Sequence, residues 1–243
     1  MKLEPLEEGL TNAIWRTDRG TVLKFVAPYS WTVKLINLFQ LMFLHFEWIT
    51  QDRRVANELR AKEVLEELDI RRPDVVWHDG HFIEMELVEG IPLLEHLADT
   101  DLQGCYEVGR AKGAELHRLH EYGAAYVDNR CGNTLVTEEG LASIDHELFR
   151  EEAPPFLREF DLVTLTASAK MLEPRKYVFF IEGLHAGYDG IFEVDKGFRT
   201  MFTGVAVVGY VLLVKRSPGL VLRAWRNWVY DIRRHMRQLA RYP

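Results

Sequence analysis

The sequence predicts an α+β protein in two parts, with a β-rich part at residues 1–89 and a larger helical part at residues 90–243. Two hairpin signals separate short β-rich runs in the first part, where Asp and Gly tolerate positive φ. Helical periodicity dominates the second part. Because pockets are common where two such parts meet, we expect a ligand site at their hinge.

The first part contains four predicted strands and one helix. Its hairpins turn at Asp18-Arg19-Gly20 and at Asp79-Gly80. In chain order, the elements are the strands Ala13–Thr17 and Thr21–Val26, the helix Gln51–Leu68, and the strands Asp74–His78 and His81–Val88. Pro73 ends the stretch in which the helix can continue.

The second part begins where Gly90-Ile91-Pro92 interrupts the pattern. Two helices are predicted at Leu102–Glu121 and Phe156–Leu172, with further helices after them. A short strand–turn–strand lies between the two, at Thr134–Thr137 and Leu141–Ile144.

The composition is that of a folded protein, with 47% apolar and 28% charged residues in 243. Two cysteines are too few for a disulfide framework or a structural zinc site. The N-terminus lacks the basic and apolar regions of a signal peptide, so we expect the protein on the cytoplasmic side.

The charge is uneven, since the net charge of −7 includes a basic tail. From Lys215 onward, eight Lys or Arg stand against Asp231 alone, a net charge of +7. The tail also forms an amphipathic helical pattern with Trp225, Trp228 and Ile232 on one side. It predicts an anionic partner, which is a membrane surface, nucleic acid or the acidic body of the protein itself. Nucleic acid is disfavoured, because the aromatic residues lie on the apolar side.

Two apolar segments also favour a contact with a membrane surface. Residues 29–49 combine Trp31, Phe39 and Trp48 with few charges, an interfacial composition. Residues 201–214 carry no charge, but as a helix they would reach roughly 21 Å, less than a hydrocarbon core of ~30 Å. These segments predict a peripheral membrane site, and a dimer interface, a cap over the active site or a buried helix are the alternatives.

The residues with the clearest chemistry are Asp128, Asn133 and Asp145. An Asp, an Asn five positions later and a second Asp after a hairpin supply a carboxylate for proton transfer and oxygen ligands for Mg²⁺. Phosphoryl transfer needs little else from a protein. Taken alone, these residues also fit ordinary turns.

Motifs in a fixed order add to this interpretation. They are Glu8-Gly-Leu-Thr-Asn-Ala-Ile-Trp-Arg16, Gly20-Thr-Val-Leu-Lys24, Met85-Glu-Leu-Val-Glu-Gly90, Leu116-His-Arg-Leu-His120, Ile144-Asp-His-Glu147 and Phe160-Asp-Leu162. Together they resemble the aminoglycoside phosphotransferase and choline kinase family, over roughly residues 4–172. The resemblance implies a two-lobed protein-kinase-like fold with a nucleotide-binding N-lobe at residues 1–89 and a catalytic C-lobe at residues 90–243.

The resemblance also implies roles for individual residues. Lys24 would bind the α- and β-phosphates of ATP, Asp128 would be the catalytic base, and Asn133 and Asp145 would bind Mg²⁺. The turn at Gly9, Thr11 and Asn12 would lie above the phosphates, and Glu86 belongs to the hinge that binds the nucleotide.

In this family a helical Glu pairs with the nucleotide-binding Lys. Glu58 and Glu63 are the candidates on the helix after the insertion at residues 29–49. Glu58 shares a face with Ala61 and Leu65, whereas Glu63 neighbours other acidic residues on a solvated face. We therefore predict that Glu58 pairs with Lys24.

Two positions depart from the family pattern. Tyr126-Val127-Asp128 stands where the family has His-Gly-Asp, so a loop-ordering histidine is lost. His146 replaces the aromatic residue after the metal-binding Asp. Because Asp128, Asn133 and Asp145 are all present, these changes bear on efficiency more than on the type of reaction.

The sequence therefore predicts an MgATP-dependent kinase that phosphorylates a hydroxyl group. A small molecule or a membrane-proximal, lipid-linked hydroxyl is the expected acceptor. An atypical Ser/Thr protein kinase and a kinase-fold binding module without turnover are the alternatives, and the survival of Asp128 argues against the latter.

Overall fold

The computed structural model describes residues 3–8, 12–26 and 50–188. They divide into two units, one within Met1–Glu89 and Ala142–Glu151 and the other within Gly90–Leu141 and Glu152–Pro243. The predicted division had assigned Ala142–Glu151 to the second part. None of the helices in the described ranges is both long and apolar enough to cross a bilayer.

The described part of the first unit is built on an antiparallel sheet of five strands in the order β1-β2-β3-β5-β4. Its strands are β1 (Leu3–Glu8), β2 (Asn12–Thr17), β3 (Thr21–Val26), β4 (Val75–His78) and β5 (Phe82–Glu86). The hairpin turns have the predicted positive φ, at Gly20 (74°) and Gly80 (88°). The sequence analysis missed β1, an edge strand whose pairing shifts register after Pro5.

Helix α1 (Gln51–Glu67) covers one face of this sheet. Thr50 caps its N-terminus by accepting a hydrogen bond from the Arg53 amide at 3.3 Å. Val55 of α1 packs with Val26 of β3 and Ile83 of β5 in the core of the unit. Because side chains alternate along a strand, Lys24 points to the same face as Val26, toward α1.

In its described residues, the second unit has four α-helices and a small sheet in the order β6-β7-β8. Its elements are β6 (Ile91–Pro92), α2 (Leu93–Asp99), α3 (Leu102–Tyr122), β7 (Thr134–Thr137), β8 (Gly140–Ser143), α4 (Pro155–Ala169) and α5 (Pro174–Tyr188). The last two residues of β8 belong to the first unit. Helix α3 is capped at its N-terminus by the side chain of Asp101 and ends at Gly123, whose φ is 101°.

Helices α3 and α5 pack with their backbones in close contact. Each carries two glycines four residues apart, Gly109 and Gly113 on α3 and Gly183 and Gly187 on α5. A Cβ atom added to Gly113 would lie 2.2 Å from the carbonyl oxygen of Leu184. The glycines therefore set the distance between the two helices.

Candidate active site

Lys24 is the centre of a charged cluster in the first unit. Its Nζ lies 2.7 Å from Oε1 of Glu58, 2.6 Å from Oδ1 of Asp145 and 2.9 Å from Oε1 of Glu147. The Lys24 side chain is only 3% exposed. The predicted pair of Lys24 and Glu58 is present, and Glu63 lies on the exposed face of α1, where it pairs with Arg60.

The elements of the first unit explain this geometry. Lys24 is in the middle of the sheet on β3, and Glu58 lies one helical turn after Arg54 on the buried face of α1. Asp145 follows β8 in a left-handed conformation with φ of 64°, which Asp adopts more readily than most residues. Asp145 is about one-third exposed, whereas Glu58 and Glu147 are buried.

Helix α1 also binds the segment that follows Asp145. The Nε of Arg54 donates to Oε2 of Glu147 at 2.6 Å, and the side-chain amide of Asn57 donates to the Glu147 carbonyl at 2.6 Å. The Nδ1 of His146 lies 3.4 Å from the second carboxylate oxygen of Glu58. Residues 146 and 147 are thus tied to α1 by polar contacts.

The roles of Glu147, predicted only as part of the motif Ile144–Glu147, and of Arg54 were not apparent from the sequence. Two positions in the sequence could have drawn attention to these residues. Glu147 lies two residues after Asp145, and Arg54 lies four residues before Glu58 on the same face of the helix. Neither signal identifies the other residue as its partner, because they are 93 positions apart.

Burial and charge shift the pKa values in the cluster. Burial alone would lower the pKa of Lys24, but the carboxylates of Asp145, Glu147 and Glu58 raise it well above its usual value. Burial would raise the pKa of Glu58, but Lys24 and His146 lower it well below its usual range. Burial raises the pKa of Glu147, with the Asp145 charge adding to the effect.

Asp128 and Asn133 come together in the second unit. The side-chain amide of Asn133 donates to the Asp128 carbonyl at 2.7 Å, and Arg130 donates to Oδ2 of Asp128 at 2.7 Å. A 3₁₀ turn at Cys131–Asn133 brings Asn133 back toward Asp128. With its nitrogen engaged in this bond, Asn133 has its amide oxygen as the atom suited to a cation.

Asp161 of α4 holds the backbone just before Asp128. The Tyr126 amide donates to its Oδ2 at 2.8 Å, the Val127 amide donates to its Oδ1, and the Nε2 of His120 lies 3.1 Å from Oδ2. Val127 has φ of 72°, which is strained for a β-branched residue. The fully buried Asp161 therefore stabilises a loop conformation that is unfavourable by itself, and burial raises its pKa.

A second polar cluster anchors the side chain of Tyr126. Its hydroxyl donates to Oε1 of Glu115 at 2.9 Å, and Lys112 donates to the same oxygen at 2.6 Å. The Lys112 ammonium also lies 5.0 Å from the centre of the Tyr126 ring. All three side chains are buried. Lys112 and Glu115 of helix α3 thus hold the side chain of Tyr126, the residue that stands where the family has a histidine.

The other predicted site residues are less defined. Glu86 ends β5 and is exposed, and its carboxylate accepts a hydrogen bond from the Asp74 amide at 3.3 Å. Asn12 begins β2. Predictions for Gly9 and Thr11, the segments 29–49 and 201–214, and the basic tail fall outside the described residues.

Three carboxylates of the first unit offer oxygen atoms of the kind that bind Mg²⁺. Carboxylate oxygens of Glu58, Asp145 and Glu147 lie within 4.8 Å of one another, and carboxylate and amide oxygens are the ligands that Mg²⁺ prefers. All three carboxylates contact Lys24, but Glu58 and Glu147 are buried, so the more exposed Asp145 is the carboxylate best suited to a metal ion among the described residues of this unit.

No family model matches the sequence, and no curated protein matches it. Solved structures do match. The aminoglycoside phosphotransferase APH(2'')-IIia, in complex with GDP and kanamycin, has a TM-score of 0.60 at 14% identity, over 96% of this chain and 93% of that chain. APH(2'')-IIa, in a ternary complex with streptomycin and ATP, has a TM-score of 0.57 at 12% identity, over 93% of each chain.

A third match is WaaP in complex with acyl carrier protein, with a TM-score of 0.54 at 16% identity, over 95% of this chain and 89% of that chain. At such identities the likeness concerns the fold. The comparisons confirm the fold class predicted from the motifs: the chain has the two-lobed protein-kinase-like fold of the aminoglycoside phosphotransferases.

Proposed function

We propose that the protein is a kinase that transfers the γ-phosphoryl group of ATP to a hydroxyl group, with Mg²⁺ as cofactor. The main support is the buried lysine of β3, paired with Glu58 of the helix and with Asp145. A buried ion pair contributes little net stability, because removing the charges from water costs about as much as their attraction returns. Buried groups with strongly shifted pKa values therefore cluster at functional sites. The fold likeness to phosphotransferases supports the same reaction class.

Each residue has one role in this proposal. Lys24 binds phosphate oxygens, and Glu58 orients it. Asp145 and Asn133 bind Mg²⁺, which when bound neutralises charge on the phosphates. Asp128 accepts the proton of the acceptor hydroxyl. Arg130 pairs with Asp128 at 2.7 Å and holds its carboxylate in place before the acceptor binds.

Nucleotide binding tests the proposal directly. MgATP should raise the melting temperature, because a ligand that binds only the folded state stabilises it by about 2.7 kcal/mol at a hundred times its Kd. Asp145→Ala should remove the Mg²⁺-dependent part of the shift. If MgATP gives neither a thermal shift nor a heat of binding with the unmodified protein, the kinase proposal is wrong.

The acceptor is proposed to be a small molecule or a membrane-proximal, lipid-linked hydroxyl. The first is supported by the likeness to structures that contain kanamycin and streptomycin, and the second by the apolar and basic segments of the sequence. Incubation with labelled MgATP and a panel of soluble alcohols, lipid-linked alcohols and Ser/Thr peptides identifies the class. Asp128→Asn, which keeps the side-chain size, is the control that should abolish transfer.

Attachment to the cytoplasmic face of a membrane is the second part of this proposal. Basic residues near an anionic membrane contribute roughly 1 kcal/mol each, within a Debye length of about 8 Å. The protein should therefore sediment with phosphatidylserine vesicles, not with phosphatidylcholine vesicles, and high salt should release it. Arg233→Glu with Arg234→Glu should abolish sedimentation. A wild-type protein that stays in the supernatant while the double variant melts several degrees lower would show that the tail is structural.

A further inference from the structure

The ammonium of Lys24 has three N–H groups, and three carboxylates surround it at 2.6 to 2.9 Å. Glu58 and Asp145 each accept a hydrogen bond from Lys24, and Oε1 of Glu147, in ion-pair contact at 2.9 Å, occupies room beside the ammonium that a phosphate oxygen would need. If Lys24 binds nucleotide, as the proposed function requires, one carboxylate must leave it first. The contacts of the three carboxylates indicate which one leaves most easily.

Glu147 is the carboxylate with the weakest attachment to Lys24. Its Oε1 is the most distant at 2.9 Å and accepts no hydrogen bond of good geometry among the described residues. Glu58 and Asp145 both accept hydrogen bonds from Lys24, at 2.7 and 2.6 Å. Loss of the Lys24 contact therefore costs least at Glu147.

Glu147 is also the carboxylate with a second strong cation. Arg54 binds its other oxygen through both Nε and a terminal nitrogen, and the Asn57 amide holds its backbone carbonyl. An unpaired buried carboxylate is very unfavourable, but Arg54 keeps Glu147 paired when Lys24 is withdrawn.

We propose that Glu147 occupies the place at Lys24 that a nucleotide phosphate takes, and that Arg54 retains Glu147 when the phosphate replaces it. This inference rests on the proposed function. Glu147 and Arg54 are positioning residues that act on the nucleotide through Lys24. Glu147 competes with the nucleotide phosphate for Lys24. Arg54 weakens this competition, because it gives Glu147 an alternative partner.

The test is a double-mutant cycle on the Kd for MgADP, measured by calorimetry. Glu147→Gln removes the competitor and should tighten binding about tenfold, within the usual range of coupling between ligands. Arg54→Met removes the alternative partner and should weaken binding about tenfold. The double variant should bind like Glu147→Gln, because Arg54 acts only through Glu147. Glu63→Gln, on the exposed face of the same helix, should leave the Kd unchanged.

Additive effects would contradict the proposal, since simple charge effects of the two residues would cancel in the double variant. Unchanged or weaker binding by Glu147→Gln would also overturn it. Melting temperatures show whether each variant folds. If Glu147→Gln does not fold, the Kd of the double variant is compared with the Kd of Arg54→Met. We expect the double variant to bind MgADP much more tightly than Arg54→Met. Equal Kd values would contradict the proposal. If the wild type itself does not bind MgADP, the proposed function fails and this inference with it.

Discussion

The hydroxyl of Tyr126 lies 2.9 Å from Oε1 of Glu115, and both side chains are buried in the second unit. Lys112 donates a hydrogen bond to the same oxygen, so the Tyr126 hydroxyl is bonded to a member of a buried ion pair. This contact fixes the residue two positions before Asp128. The loop is thus held through a side chain as well as through its backbone.

Tyr126→Phe removes this bond while keeping the ring. We expect the free energy of unfolding to fall by about 1 to 2 kcal/mol, the range for a buried hydrogen bond to a charged group. Urea denaturation measures the change, with Tyr106→Phe on α3, the helix that carries Glu115, as the control. Equal stability of wild type and Tyr126→Phe would show that the bond contributes nothing.

Glu58→Gln and Glu63→Gln make a matched pair on α1. Glu58 contacts Lys24 and His146 and is buried, whereas Glu63 is exposed and pairs with Arg60. Glu58→Gln should reduce phosphotransferase activity at least tenfold, because Lys24 loses the carboxylate that orients it. Glu63→Gln should change activity less than twofold. A reversed order in steady-state assays would place the orienting carboxylate at Glu63.

Wild type and Glu58→Gln should also differ in how their stability depends on pH in the acidic range. Burial would raise the pKa of Glu58, but Lys24 and His146 outweigh it, so the folded-state pKa lies below the usual value of 4.5. A depressed pKa stabilises the folded state above the unfolded-state pKa, and this contribution is lost as the pH falls. The advantage of wild type over Glu58→Gln should therefore be constant at neutral pH and shrink below about pH 4.5. Denaturant titrations between pH 7 and pH 3 measure it, and an advantage that grows on acidification would contradict the assignment.

Gly113→Ala should strongly destabilise the second unit. Alanine favours a helix over glycine by about 1 kcal/mol, but its Cβ would lie 2.2 Å from a backbone oxygen of α5, which cannot move aside alone. Overpacking typically costs about 1 to 3 kcal/mol and should exceed the gain. Thermal unfolding tests this, with Gly132→Ala as control, because a Cβ at Gly132 meets no atom within 4 Å. A Gly113→Ala protein as stable as wild type would mean that the helices are farther apart.

Cys131 should be unreactive in the folded protein. Burial raises the pKa of its thiol to about 11, so roughly one thiol in a thousand is ionised at pH 8. Burial also raises the pKa of Cys105. Both cysteines should react with iodoacetamide only after denaturation, as mass spectrometry would show. Rapid labelling of Cys131 in the native protein would mean that the loop of residues 124–133 opens.

The periodic parts of the fold were predictable from sequence. Helical spacing places Glu58, and not Glu63, beside Ala61 and Leu65, and the same spacing buries Glu58 in the structure. The hairpins at Gly20 and Gly80 followed from turn chemistry. These patterns are local in the sequence. A local structural preference is kept in the folded protein when it agrees with the packing of the core.

Two polar contacts could not be predicted, because no sequence pattern links their partners. Glu147 and Arg54 are 93 positions apart, and the bond between Tyr126 and Glu115 depends on a glutamate inside a helix that also carries exposed charges. Charged residues are rarely buried unless they are paired, so a sequence gives no reason to bury Lys112 or Glu115. Only the fold brings the partners together.

Because Val127 is in the left-handed conformation, the loop of residues 124–133 would not keep its shape if it were moved to another protein by itself. Its backbone is held by two oxygens of Asp161, 34 and 35 positions later in the chain. A peptide of residues 124–133, or the same segment grafted onto another scaffold, would let Val127 relax to negative φ and turn Asp128 away. An engineer who wishes to move this loop must move the beginning of α4 with it.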